Sequence, residues 1–195
     1  TTYYATQGFS VYESVSKIVK LGFKAVEFGA AHTYEENIWN ILRKIKKDFK
    51  DISFSIHTLF PPFKDKIWFN PAEGLSEINR EIIDRLFLAA AIMESNMISI
   101  HPPILNEIKL GDKIIGNFSK PLVGSAKDEN ESKKKFIGLM EYIDRKAEES
   151  QTRVTIENLN TSYLNTFLST KENSMEIFNM FPNIGMLLDV GHALE

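Results

Sequence analysis

Ser53-Phe54-Ser55-Ile56-His57 is the stretch on which the reading of this chain turns. Apolar and small polar residues alternate with the period of two that a β-strand imposes, and the run ends on an imidazole. Phe54 and Ile56 face one way, and Ser53, Ser55 and His57 the other. The same phase recurs in Met97-Ile98-Ser99-Ile100-His101, Val154-Thr155-Ile156-Glu157, Leu187-Leu188-Asp189 and Ala25-Val26-Glu27. One face of the implied sheet is bulky and aliphatic, suited to packing under helices. The other carries small or polar side chains and ends in Glu27, His57, His101, Glu157 and Asp189.

Amphipathic stretches separate these runs. Ser10 with Glu13 reads as a capping box opening a helix whose inner stripe is Val11, Val15, Ile18 and Val19, and Gly22 closes it. Thr33 with Glu36 has the form of the next cap, ahead of Ile38, Leu42, Ile45 and Phe49 at helical spacing. Further helices are expected over Leu75–Ser95 and from about Glu131, and one is expected behind Ser169 with Glu172. With Thr2–Thr6 as a first strand and Gly185–Asp189 as the last, six strands alternate with five helices. That pattern specifies a parallel α/β fold with right-handed crossovers. The long connections Thr58–Gly74 and Pro102–Asn130 leave the same end of the sheet, where functional loops concentrate. The second has room for a hairpin around Leu110-Gly111-Asp112-Lys113.

The 195 residues are 43% hydrophobic and 25% charged, which is the balance of a chain able to bury a core. A formal charge of −3 supplies no global field to attract nucleic acid or anionic lipid, although a local basic patch stays open. The absence of cysteine removes disulfides and thiolate chemistry and fits a reducing cytosol. The apolar run Leu86 to Met93 is too short to cross a bilayer, and the first ten residues lack a signal-peptide layout. The expectation is a cytoplasmic protein with no membrane partner.

If the sheet curls into a barrel, the five strand-end groups converge at one mouth, where ionisable residues of such barrels do chemistry. Three carboxylates in a partly dry pocket are costly unless a cation offsets them. Two imidazoles beside them suit a borderline divalent ion, zinc or manganese. His192, across Gly191 from Asp189, reaches for the same mouth. Singly, each residue has a plainer reading: a strand-end histidine as a hydrogen-bonded core residue, Glu27 as an acceptor for loop N–H groups, Asp189-Val190-Gly191-His192 as an Asx turn. His32, beside a helix start, is expected to be exposed. Recurrence of one residue class in one phase on five strands favours a shared site.

In their order along the chain, Leu21-Gly22-Phe23-Lys24-Ala25-Val26-Glu27, Ser55-Ile56-His57, Ile100-His101-Pro102, Thr155-Ile156-Glu157-Asn158 and Leu188-Asp189-Val190-Gly191-His192-Ala193 resemble the xylose isomerase-like superfamily, which groups sugar phosphate isomerases and epimerases with endonuclease IV. The resemblance implies a (β/α)8 TIM barrel in one domain over residues 1–195. Its seventh and eighth strands are not in this sequence, so the domain is expected to be C-terminally incomplete.

It also implies that Glu157 and Asp189 are the first two ligands of a single divalent metal, the other two coming from the absent strands. In the isomerase and epimerase branch, Glu157 would be both ligand and acid/base for a proton moved through an enediolate. There His57, His101 and His192 would hold or polarise sugar oxygens, with Glu27 and Asn158 as further contacts. In the endonuclease IV branch, His57, His101 and Glu157 would bind one zinc, Glu157 and Asp189 a second, and His192 a third. Against that branch, Asn158-Leu159-Asn160 follows Glu157 where small residues are expected, and Val190-Gly191 stands in place of Thr-Cys. A third reading is a non-catalytic barrel that binds a small molecule or a partner protein. The expectation carried forward is a metal-assisted isomerase or epimerase of a small polyhydroxylated substrate, phosphorylated or not, with a homo-oligomer left open.

Overall fold

In the computed structural model, residues 3–115, 118–159 and 165–193 are described. The first helix, α1 (Val11–Lys20), opens as its sequence dictates. Ser10 Oγ accepts from the Glu13 N–H, and Glu13 Oε2 accepts from the Ser10 N–H at 3.0 Å. Val11, Val15 and Ile18 are buried along one stripe. Gly22 adopts φ 90°, a left-handed turn that returns the chain to β1 (Ala25–Phe28). The remaining elements are α2 (Ile38–Asp48), β2 (Ser53–His57), α3 (Glu77–Met93), β3 (Met97–Ile100), β4 (Asn106–Ile115), β5 (Phe118–Ala126), α4 (Glu129–Ser150), β6 (Arg153–Glu157), α5 (Lys171–Met180), β7 (Ile184–Leu187) and α6 (Val190–Ala193).

Five strands form one parallel sheet in the order β1-β2-β3-β6-β7, and β4 and β5 form a separate antiparallel ribbon. On β1 and β2 the alternation read from the sequence is the alternation of burial, whereas β3 and β6 are buried on both faces. Phe28, Ile56, Ile98, Ile100 and Val154 are at most 1% exposed under the helices. Each such side chain withdrawn from water stabilises the fold by about 1.5–3 kcal/mol. On the opposite face, Ser99 and Thr155 are also buried, and their hydroxyls meet at 3.1 Å. Small side chains there let the strands curl together, and each hydroxyl is matched to another polar atom. Met186 and Leu188 flank the outer edge of β7 and are 55% and 61% exposed.

Several local expectations are corrected. Tyr3–Gln7 is a 3-10 helix, not a strand: the segment has no apolar run to seat against β1, and the Gly8 N–H bonds back to the Ala5 carbonyl at 3.0 Å. Thr33 and Glu36 form no cap. Instead the Glu35 carboxylate accepts from the Val11 N–H at 2.8 Å, serving the start of α1, and α2 begins at Ile38 without a side-chain cap. Thr170, one residue beyond Ser169, caps α5 through the Asn173 N–H. The hairpin in the long connection Pro102–Asn130 exists, but Leu110–Lys113 lie inside β4, and residues 116 and 117 are outside the described residues. His32 is not exposed: at 2% exposure its ring packs against Phe28 and Phe60, with centroids 6.2 and 5.6 Å away. The loop after β1 folds back over the sheet and takes the ring with it.

Candidate metal centre

The strand ends bring most of the nominated residues together. Glu157 is the last residue of β6 and buried, and β2 ends beside it with His57. His57 Nε2 lies 2.6 Å from Glu157 Oε2, with the two side chains only 14% and 8% exposed. His101 follows β3 directly, and its ring meets that of His57 edge-on at 4.9 Å between centroids. On the other flank, Asp189 lies two residues past β7, and His192 one helical turn further. His192 Nδ1 is 3.4 Å from Glu157 Oε1.

Glu157 therefore belongs to two groups, His57–His101–Glu157 and Glu157–Asp189–His192, each with potential ligand atoms within 4.8 Å of one another. Glu27 stands outside both. It lies on β1 on the same face, where the Ser55 hydroxyl approaches its carboxylate at 3.5 Å. Asn158 adjoins Glu157, and its amide faces the Asp189 backbone.

Hydrogen bonds fix the ring orientations. His57 Nδ1 is 2.5 Å from the Thr58 carbonyl and His192 Nδ1 is 2.8 Å from the Asn158 carbonyl. A carbonyl only accepts, so in each ring Nδ1 carries the hydrogen. The neutral form of either ring would then carry its lone pair at Nε2, as a metal-ligating imidazole backed by a main-chain acceptor does.

The charges follow from the same contacts. Burial alone would pull the His57 ring down, but its bonds to Glu157 and to the Thr58 carbonyl outweigh that, and its pKa is raised. That shift favours the charged ring beside the Glu157 carboxylate. Burial, and then the proximity of His57 and His192, push His101 down to about 3, so it is a neutral ring at working pH. The His192 backbone N–H donates to Asp189 Oδ1 at 3.0 Å and lowers the Asp189 carboxyl below its ordinary value. Two carboxylates beside imidazoles form a donor set that could hold a divalent metal ion.

The fold, the strand-end donors and the motif order point to one family, and its pattern matches residues 15–195. The chain belongs to the xylose isomerase-like TIM barrel family. The five parallel strands are consecutive staves of that barrel.

Among solved structures, this xylose isomerase-like chain is similar to a D-tagatose 3-epimerase-like protein, with TM-score 0.64 and 20% identity over 94% of this chain and 62% of that one. It is similar to D-psicose 3-epimerase determined in the presence of D-fructose, with TM-score 0.63 and 21% identity over 95% of this chain and 60% of that one. It is also similar to an AP endonuclease, family 2, from Brucella melitensis, with TM-score 0.68 and 16% identity over 95% of this chain and 65% of that one. The chain thus spans less than two thirds of the length of these structures, and at such identities the likeness is one of fold. No curated protein matches it by sequence.

Sequence reasoning missed two contributors to the site. Thr58 acts through its main-chain carbonyl, which no side-chain type announces. Asn70 joins the connections that follow His57 and His101: its Nδ2 donates to the Ile104 carbonyl and its Oδ1 accepts from the Ile104 N–H, both at 2.9 Å. An asparagine among Phe69 and Pro71 reads locally as a turn residue, and only the fold shows what it bridges.

Proposed function

We propose that this chain acts as a metal-dependent isomerase or epimerase of a sugar or sugar phosphate, moving a proton at the carbon beside a carbonyl through an enediolate. The observation that carries the reading is the convergence of Glu157, Asp189 and His192 at the strand ends, with ligand atoms within 4.8 Å of one another. A divalent ion held by Glu157 and Asp189 would act as a Lewis acid and neutralise negative charge developing on the substrate oxygen. Glu157 is the group placed to accept and return the proton. His192, with Nδ1 committed to the Asn158 carbonyl, would offer Nε2 to a substrate oxygen. His57 and His101 line the adjoining wall, and Glu27 offers a polar contact from β1. The epimerase structures named above support this reading at the level of fold.

The test is turnover of ketoses and their phosphates by the metal-loaded protein, with solvent deuterium incorporation at the carbon beside the carbonyl. Glu157→Gln and Asp189→Asn should each lower turnover by at least about 100-fold. Near-wild-type turnover in both would end the proposal.

The second group, His57–His101–Glu157, favours one alternative, an endonuclease IV-like centre using several zinc ions. That reading requires about three zinc ions per chain and cleavage of abasic DNA, whereas the isomerase needs about one ion and cleaves no DNA.

A further inference from the structure

We infer that Asn158 is a positioning residue whose side chain extends the β6–β7 ladder by one rung and thereby fixes Asp189 and His192 for the metal. The inference rests on the metal reading above. Regular pairing of the two strands ends at Glu157↔Leu187 and at the Asn158 N–H, which donates to the Leu187 carbonyl at 3.2 Å. Asp189 lies beyond that point, outside the strand and ahead of α6, where strand pairing has ended and its carbonyl accepts from the Ala193 N–H at 3.2 Å.

The Asn158 side chain takes over. Its Oδ1 accepts from the Asp189 N–H at 2.6 Å, and its Nδ2 donates to the Asp189 carbonyl at 3.0 Å. A primary amide has the same donor and acceptor as a peptide unit, so this pair reproduces a strand rung after the strand has ended. The main-chain carbonyl of Asn158 then accepts from His192 Nδ1 at 2.8 Å. Asp189 Oδ1 completes the loop by accepting from the His192 N–H at 3.0 Å.

All four polar groups of Asn158 are therefore engaged with β7 or the turn after it, and its amide is committed to the main chain. Its role follows from that: it sets where Asp189 and His192 stand relative to Glu157, the residue preceding it. An aspartate in its place would keep the acceptor but lose the donor, and alanine would lose both.

The experiment compares wild type with Asn158→Ala in three measurements: Mn2+ and Zn2+ titration by calorimetry, amide hydrogen exchange at Asp189 and His192 without metal, and the urea unfolding midpoint. The expected result is metal affinity weakened by about 10–100-fold, with exchange at Asp189 faster by at least about tenfold and an unfolding midpoint close to wild type. A shifted midpoint with unchanged metal affinity would make Asn158 merely structural and overturn the inference. Unchanged affinity together with unchanged exchange would do the same. If wild type binds neither ion, the metal reading fails on its own, and the Asp189 exchange rate then decides whether Asn158 holds this turn. Should Asn158→Ala not fold, Asn158→Ser carries the same measurements, since a hydroxyl cannot span both backbone groups of Asp189.

Discussion

Acid should destabilise this protein through His32, and the size of the effect can be worked from its surroundings. The ring is 2% exposed, sits between Phe28 and Phe60, and its Nδ1 has no hydrogen-bond partner among the described residues. Burial lowers its pKa from 6.5 to about 4. In the unfolded chain the same imidazole titrates near 6.5. Between those values the unfolded state binds a proton that the folded state refuses, so stability is fully present above pH 6.5 and is lost as pH falls toward 4. At ~1.4 kcal/mol per pH unit the whole interval costs about 3 kcal/mol. That is a large share of the roughly 5–15 kcal/mol by which a domain is stable.

The assay is urea unfolding of wild type and His32→Leu at half-unit steps from pH 8 to 4. Leucine is near the imidazole in volume and removes the orphaned nitrogen. Carboxylate titrations are common to both proteins and cancel in the difference. His32→Leu should lose about 3 kcal/mol less than wild type across the interval. Parallel curves would refute the reasoning and show that the ring is protonated or partnered in the folded state.

Metal binding at Glu157 should release protons, because a cation on that carboxylate takes away the partner that raises the His57 pKa. Since the His57 pKa is raised above 6.5, Zn2+ affinity should climb as pH rises through that raised value, and calorimetry in buffers of different ionisation enthalpy should report the released proton. In the layer beneath the site, Thr155 donates to the Ile98 carbonyl, which leaves Ser99 as the donor to Thr155. Thr155→Val should therefore cost about 1–3 kcal/mol by stranding the Ser99 hydroxyl, and adding Ser99→Ala should recover part of it, as a thermal-melt double-mutant cycle would show.

Much of the architecture was legible from alternation alone. Ser53–His57 and Arg153–Glu157 are strands over the residues read from the sequence, because a strand buried on one face imposes a period of two that few other structures share. The capping box at Ser10 and Glu13 was legible for a similar reason: donor and acceptor lie within one turn. Where an equally local signal failed, a distant partner had taken the group. The carboxylate of Glu35 serves Val11 at the start of α1, 24 residues earlier in the chain, and Thr33 and Glu36 are left without a helix to cap. His32 was misread because Thr33 and Glu36 after it look like a helix start, while its neighbours in space are Phe28 and Phe60.

The sequence by itself determined which side chains share a face of the sheet, and so which titratable residues lie toward its end: strand phase is a local property, written in each short run. Only the tertiary structure decided which of those groups touch. It made Glu157 the residue common to two donor groups, oriented His57 through the Thr58 carbonyl, committed the Asn158 amide to Asp189, and kept Glu27 apart. Hydrogen bonds between residues as far apart as His57 and Glu157 depend on strand register and on how the connections return. No local run of residues encodes those distances.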